Sequence, residues 1–128
     1  MATMHPVRQL QSFVNRHPGT VPIVWLLSAQ FFLAEVVVAA AWSPGYSWHL
    51  DAISDLGATN CGRFDGRFVC SPLHSLMNGS LILLGLTMVI GSVLTYQLMR
   101  MSRVGFSLMA LAGIGAILVG LFPEDTTY

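Results

Sequence analysis

Three long apolar runs, parted by shorter polar segments, set the pattern of this chain. They cover about residues 22–42, 76–99 and 104–122. A bilayer core about 30 Å thick takes roughly 20 apolar residues of helix to cross, so the pattern predicts three membrane-spanning helices. Only Arg100, Met101, Ser102 and Arg103 part the last two, which predicts a tight antiparallel helical hairpin. Residues 1–21 form an N-terminal segment ahead of a three-span membrane domain, 22–128. In that segment Val7, Leu10, Phe13 and Val14 fall at helical spacing, which fits a short helix on the membrane surface; a disordered tail is the alternative. The segment 43–75 joins the first two spans. Ser43-Pro44-Gly45 ends the first helix, because proline blocks continuation and glycine permits a sharp turn. Ser47 can cap a short helix through Leu56, stopped by Gly57, with Trp48, Ile53 and Leu56 on its apolar side.

Composition supports the membrane reading. Hydrophobic residues make up 54% of the 128 and charged residues 9%, against about 25% charged in soluble domains. The fold class expected is all-α: an integral membrane protein of about three transmembrane helices with a structured extracytoplasmic loop. The six basic residues are all Arg and balance six acidic ones; no basic tract exists, which excludes nucleic acid as a partner. The absence of Lys and the richness in Ala, Gly and Val point to a bacterial source of high GC content.

Charge also sets an expected orientation. Arg8 and Arg16 precede the first span and Arg100 and Arg103 lie between the second and third, whereas the 43–75 loop holds Arg63 and Arg67. By the positive-inside rule the N-terminus is cytoplasmic in a multi-pass cell-membrane protein, and the loop and the C-terminal end at Tyr128 lie outside. A rival reading treats Ala39-Ala40-Ala41 as a signal-peptidase site; Gln30 and Glu35 in the apolar run and Trp42 after it argue against cleavage.

The loop carries Cys61 and Cys70, the two cysteines of the chain. An oxidising location and the flexible Gly62 and Gly66 between them favour a disulfide bond. A metal site is the rival, though the spacing lacks the usual Cys-x-x-Cys geometry, and free thiols are the third reading.

Several polar groups need an account. Glu35 lies about 20 Å along the first span at 1.5 Å per residue, as a hydrogen-bonded packing carboxyl or as a proton or ligand site. Asp51 and Asp55, four apart, would share a helix face, where like charges call for compensation; they either bond backbone at a helix end or hold a cation or a substrate group. His74 and Asn78 open the second span, and Glu124 and Asp125 close the third. His49, Asp51, Asp55, His74, Glu124 and Asp125 can thus converge at one level, with Glu35 beneath. In the functional reading His49, His74 and Asp125 bind zinc and Asp51 or Asp55 acts as the catalytic base; in the bland one polar residues gather at a membrane boundary for solvation. No HExxH, GxSxG, GxGxxG or P-loop pattern is present. Ala112, Ala116 and Gly120, and likewise Thr87, Gly91 and Thr95, recur every four residues as packing stripes. Three helices scarcely enclose Gln30, Glu35 and Asn78 together, so a homo-oligomer or a partner membrane subunit is expected beside the lipid bilayer.

The stretch Ser47-Trp48-His49-Leu50-Asp51-Ala52-Ile53-Ser54-Asp55-Leu56-Gly57, with Ser71-Pro72-Leu73-His74 and the Gly120–Asp125 segment, resembles a bacterial membrane family, domain of unknown function 998. The resemblance implies a polytopic helical membrane protein without an established activity. Family members run to about six spans, so it implies the N-terminal half only: a short member, a truncated one, or a half that pairs with another copy. Three functions are expected to compete: a structural or accessory oligomeric component, a metal-assisted hydrolase acting on lipid at the outer leaflet, and a small proton-coupled transporter working through Glu35.

Overall fold

A computed structural model describes residues 5–43, 45–99 and 102–126. Pro44, Arg100, Met101 and Tyr128, which carry expectations above, lie outside the described residues. Helix α1 (Pro6–Arg16) opens on a proline, whose fixed φ suits a first turn that has no hydrogen-bond acceptor for an N–H. The apolar spacing is used in part: Val14 is fully buried against Val21 and Leu94, beside Leu10, Val24 and Trp25, whereas Val7 and Phe13 are exposed.

The first span covers Thr20–Ala40 but is two helices, α2 (Thr20–Leu27) and α3 (Gln30–Ala40). At the joint Ser28 N–H donates to Trp25 O at 3.1 Å, Ala29 N–H to Leu26 O at 3.0 Å and Phe31 N–H to Ser28 O at 3.3 Å. These three-residue steps tighten the helix while keeping donors paired, which hydrocarbon requires. The Ser28 hydroxyl meets that of Thr87 at 2.8 Å, so the joint sits where the span is tied to its neighbour.

That neighbour, α4 (His74–Met99), is the hub: α1, α2, α3 and α5 (Arg103–Leu121) all pack against it. One stripe of α4 receives the first span. Trp25 Nε1 donates to Thr95 Oγ1 at 2.9 Å, and its ring lies over Gly91, where a Cβ would sit 2.9 Å from Cε2. Gln30 and Ser80 pair twice, amide to carbonyl at 3.0 Å and hydroxyl to amide oxygen at 2.9 Å.

Another stripe of α4 receives α5. A Cβ on Gly85 would collide with the carbonyl of Gly113, one on Gly113 would come within 2.7 Å of Gly85 O, and one on Gly120 within 2.7 Å of Asn78 O. In α5 the stripe in contact therefore runs through Gly113 and Gly120; Ala116 is half-buried and Ala112 exposed. Only 11% of the apolar window of α5 is buried, and Val104, Leu108, Leu111, Leu118 and Val119 are exposed. Soluble monomers rarely expose so continuous an apolar face. The chain is an integral membrane protein with three helices long and apolar enough to span the bilayer.

Between α3 and α4 lies a small cap. A 3-10 helix (Ile53–Gly57) is followed by a hairpin of β1 (Gly62–Phe64) and β2 (Arg67–Val69), paired Gly62 to Val69, Arg63 to Phe68 and Phe64 to Arg67. The two-residue turn is Asp65-Gly66, with φ of 49° and 79°, the positive values that a tight hairpin demands and an Asp-Gly pair tolerates. Cys61 and Cys70, the next pair outward, are joined by a disulfide with Cα atoms 4.3 Å apart. Leu56, Ala58 and Val69 of the cap are buried against Val38, Ala39, Trp42 and Met77, which seats it on the bundle. A second 3-10 helix (Glu124–Thr126) follows α5 and touches the first.

Replacing Gly85 with Leu should force α4 and α5 apart and cost about 1–3 kcal/mol, the usual range for overpacking. Gly115→Leu, which meets open space, should leave thermal unfolding in detergent unchanged, and equal melting of the two variants would refute the seam.

Candidate functional site

The polar residues singled out in the sequence lie mostly at the capped end, and their backbone explains why. The expected helix from Ser47 to Leu56 does not form. Leu50 and Asp51 N–H both reach Ser47 O, at 3.1 and 2.9 Å, closing one turn. The Asp51 carboxylate then takes Ser47 N–H at 2.8 Å, and Ala52 is extended at ψ 147°. Asp55 Oδ2 accepts Ala52 N–H at 3.0 Å and starts the 3-10 helix. Short acidic side chains that bond nearby backbone compete with helical hydrogen bonds, and here they win twice.

The compensation that two neighbouring carboxylates require comes from the hairpin. Arg67, on the face of β2 that looks inward with Val69, places Nη1 2.6 Å from Asp55 Oδ2, 3.8 Å from Asp51 Oδ1 and 3.2 Å from Leu50 O. The Asp55 side chain is 2% exposed and that of Arg67 34%, so the pair is half-sheltered. A third acid joins: Glu124 hydrogen-bonds Asp55 and Ser54, and partial desolvation, with the Asp55 contact next, raises its carboxyl above the ordinary range. Tyr46 stands beside the group, its hydroxyl 3.3 Å from Asp51 O and its ring edge-on to Trp42 and Trp48. Burial, then the charges of Asp51, Asp55 and Glu35, pushes its phenol up. A cavity of about 400 Å³ opens over the cluster, bordered by Asp55, Arg63, Phe64, Arg67 and Glu124.

Asp125 serves a separate knot. Its Oδ2 accepts Thr59 Oγ1 at 2.7 Å, Asn60 N–H at 2.7 Å and the Asn60 amide at 3.1 Å. Burial alone would raise this carboxyl, but the Thr59 hydroxyl and the Asn60 N–H outweigh it and hold it below the ordinary range. On α4, Asn78 donates to Gly57 O at 3.0 Å, Ser71 Oγ to Leu56 O at 2.6 Å, and His74 Nδ1 lies 2.9 Å from Ser71 O. A Cβ on Gly57 would collide with the Asn78 side chain, so glycine is what lets the Ile53–Gly57 turn dock on α4.

The expected convergence of six residues is thus partial. Asp51, Asp55 and Glu124 meet, around Arg67. Asp125 binds Thr59 and Asn60 instead, His74 turns to its own helix start, and His49 is exposed. Among the described residues no three His, Cys, Asp or Glu side chains are placed to hold a metal ion, so His49, His74 and Asp125 do not assemble as a ligand set. Asp51 and Asp55 spend their oxygens on Ser47, Ala52, Arg67 and Glu124, which leaves neither poised as a free base. Glu35 is buried, 8% exposed, on the α3 face that also carries Val38 and Ala39. Gln30 and Asn78 find partners on α4 and in the cap, so neither calls for a second subunit.

Arg67, Thr59, Asn60 and Tyr46 were not singled out from the sequence. One signal was available for Arg67: Asp65-Gly66 between Phe64 and Arg67 is a two-residue hairpin signature, and it sets the register that aligns Phe64 with Arg67. Nothing local marks Thr59 or Asn60 as the partners of Asp125, 66 and 65 residues away.

The family described as "Protein of unknown function (DUF998)" matches residues 26–128. No curated protein and no solved structure matches the chain.

Arg67→Met should strand Asp55 and destabilise the cap by about 2–4 kcal/mol, toward the lower part of the range for a broken buried pair because Arg67 is partly exposed; denaturant or thermal unfolding in detergent reads it. The pH dependence has two opposed parts. Glu124, raised in the fold, adds stability that is full below its unfolded value and is lost as pH rises through its folded value. Asp125, lowered in the fold, adds stability present above its unfolded value and lost as pH falls through its folded value. Glu124→Gln, which mimics the protonated acid, should therefore melt higher than the native protein at neutral pH, and a lower melting point would contradict the assignment.

Proposed function

The chain belongs to the DUF998 family, whose function is unknown, and we propose that it is a structural or accessory component of the membrane that presents a rigid, disulfide-braced cap outside the cell. The observation that carries this reading is the fate of the polar side chains. Asp51, Asp55, Asp125, Asn78 and Ser71 each bond cap backbone or cap side chains. Groups spent in this way fix a surface and do not turn over a substrate. The orientation fits, since Arg8, Arg16 and Arg103 lie at the end opposite the cap, and a disulfide is stable in an oxidising space. The open side of α5 is a natural place for a second copy or a partner subunit.

Two measurements test the reading. A membrane-impermeant maleimide should label an Asp65→Cys protein in intact cells and leave a Ser12→Cys protein unlabelled until the membrane is opened; the reverse pattern would invert the topology. Leu111→Cys, on the exposed side of α5, should crosslink to a dimer or a partner in native membranes, whereas only monomer at this and the neighbouring exposed positions would remove the oligomeric part.

One observation favours a second reading, a small proton-coupled carrier. Glu124 and Asp55 form a hydrogen-bonded acid pair under an open cavity, and Tyr46 feels the charges of Asp55 and of Glu35 within the first span. In that case Glu35→Gln should abolish proton-linked flux in reconstituted vesicles while leaving the melting point near that of the native protein.

A further inference from the structure

At the end of the bundle opposite the cap, a cavity of about 410 Å³ opens between α4 and α5, bordered by Ser92, Tyr96, Arg103, Phe106 and Ala110. Arg103, Phe106 and Ala110 recur at three- and four-residue steps, so they form one stripe along α5. The groove therefore runs about 10 Å inward from the start of α5, at 1.5 Å per residue. Its walls are chiefly apolar and its mouth is not. Arg103 Nε donates to Tyr96 Oη at 2.9 Å, and the Tyr96 ring meets Phe106 edge-on at 6.3 Å. These contacts hold the guanidinium at the entrance through one of its nitrogens. Arg103 is exposed and, among the described residues, no carboxylate pairs with it.

The charge around the groove has one sign. The acidic residues of the chain are Glu35, Asp51, Asp55, Asp65, Glu124 and Asp125, all in α3, in the cap or after α5. This end carries Arg8 and Arg16 of α1 and Arg103 at the start of α5. At the start of α5, Ser102 Oγ accepts Gly105 N–H at 3.2 Å, which caps one of its backbone donors. The Arg103 guanidinium is the charged side chain that borders the groove, and its two terminal nitrogens face no acid among the described residues.

We propose that this groove is a binding site for an anionic phospholipid of the leaflet that faces α1, with the phosphate on the Arg103 guanidinium and an acyl chain laid between α4 and α5. An acyl chain matches a groove that is apolar along its length and open to the bilayer. A headgroup of net negative charge matches an end with basic residues and no acid, where each nearby basic residue adds to the attraction. A lipid held there bridges the two helices where their glycine contact no longer reaches, beyond Gly85 and Gly113.

Native mass spectrometry of the purified chain tests this, from detergent micelles doped equally with dioleoyl phosphatidylglycerol and dioleoyl phosphatidylcholine. The expected result is a retained phosphatidylglycerol adduct in clear excess over phosphatidylcholine. Arg103→Gln should reduce that adduct at least tenfold, and Arg16→Gln, outside the groove, should lower it by about twofold at most. Ala110→Leu, which narrows the groove, should lower retention of both lipids. Equal retention of the two lipids by the native chain would overturn the proposal, as would an undiminished adduct in Arg103→Gln. Displacement of the lipid by millimolar inorganic phosphate would also overturn it, because the site would then recognise the anion alone. Arg103 is exposed, so its variant is expected to keep its helical circular dichroism and remains decisive should Ala110→Leu misfold.

Discussion

The structure depends on how closely other elements can approach α4. In hydrocarbon the lipid is as apolar as any leucine, so helices gain little from hiding apolar surface and associate through close packing and hydrogen bonds. Gly85, Gly113 and Gly120 give α4 and α5 backbone-to-backbone contact, and Gly91 gives Trp25 a seat on the other side of α4. The hydrogen bonds from Trp25, Ser28 and Gln30 to Thr95, Thr87 and Ser80 then fix the rotation of the first span. Each of those groups would cost several kcal/mol if left unpaired in lipid, so they specify a register that apolar contact alone would leave free.

The cap is the consequence at one end. Its position follows from α3 and α4, which leave Val38, Ala39, Trp42 and Met77 facing a common space, and Leu56 and Val69 fill it. Its shape follows from carboxylates. Asp51 and Asp55 fold the chain back on itself, Arg67 neutralises both, and Asp125 reaches across from beyond α5 to fasten Thr59 and Asn60. The disulfide closes a loop of about ten residues, which by chain entropy alone contributes roughly 2–3 kcal/mol. The cap is thus held from three directions, by the first span, by α4 and by the residues after α5.

The two ends carry opposite chemistry. The capped end holds acids that are largely satisfied within the chain, with the exception that Asp125 Oδ1 is buried without a hydrogen-bond partner among the described residues. The other end holds arginines without acids, an amphipathic helix and a groove between α4 and α5. This asymmetry sets the cavity beneath the hairpin and the groove between α4 and α5 at opposite ends of the bundle.

Much of this was legible in the chain itself. Uninterrupted apolar length specifies spans, because the thickness of hydrocarbon is fixed, and the three predicted runs agree with the helices within a few residues. Cys61 and Cys70 also pair as their surroundings suggest. The residues that shape the site were legible as polar groups in need of partners, but not as pairs. A helix was expected over Ser47–Leu56 because local spacing permits one; the carboxylates of Asp51 and Asp55 instead take local backbone donors, and Arg67 makes that arrangement affordable only once the hairpin has formed. Likewise Ala112, Ala116 and Gly120 follow a four-residue rule on paper, whereas the crossing of α4 and α5 selects Gly113 and Gly120. Sequence alone determined the solvent and the number of spans, because these depend on composition and length. Tertiary structure decided which polar groups meet, because a hydrogen bond joins groups within about 3 Å and residues as far apart as Thr59 and Asp125 come that close only in the folded chain.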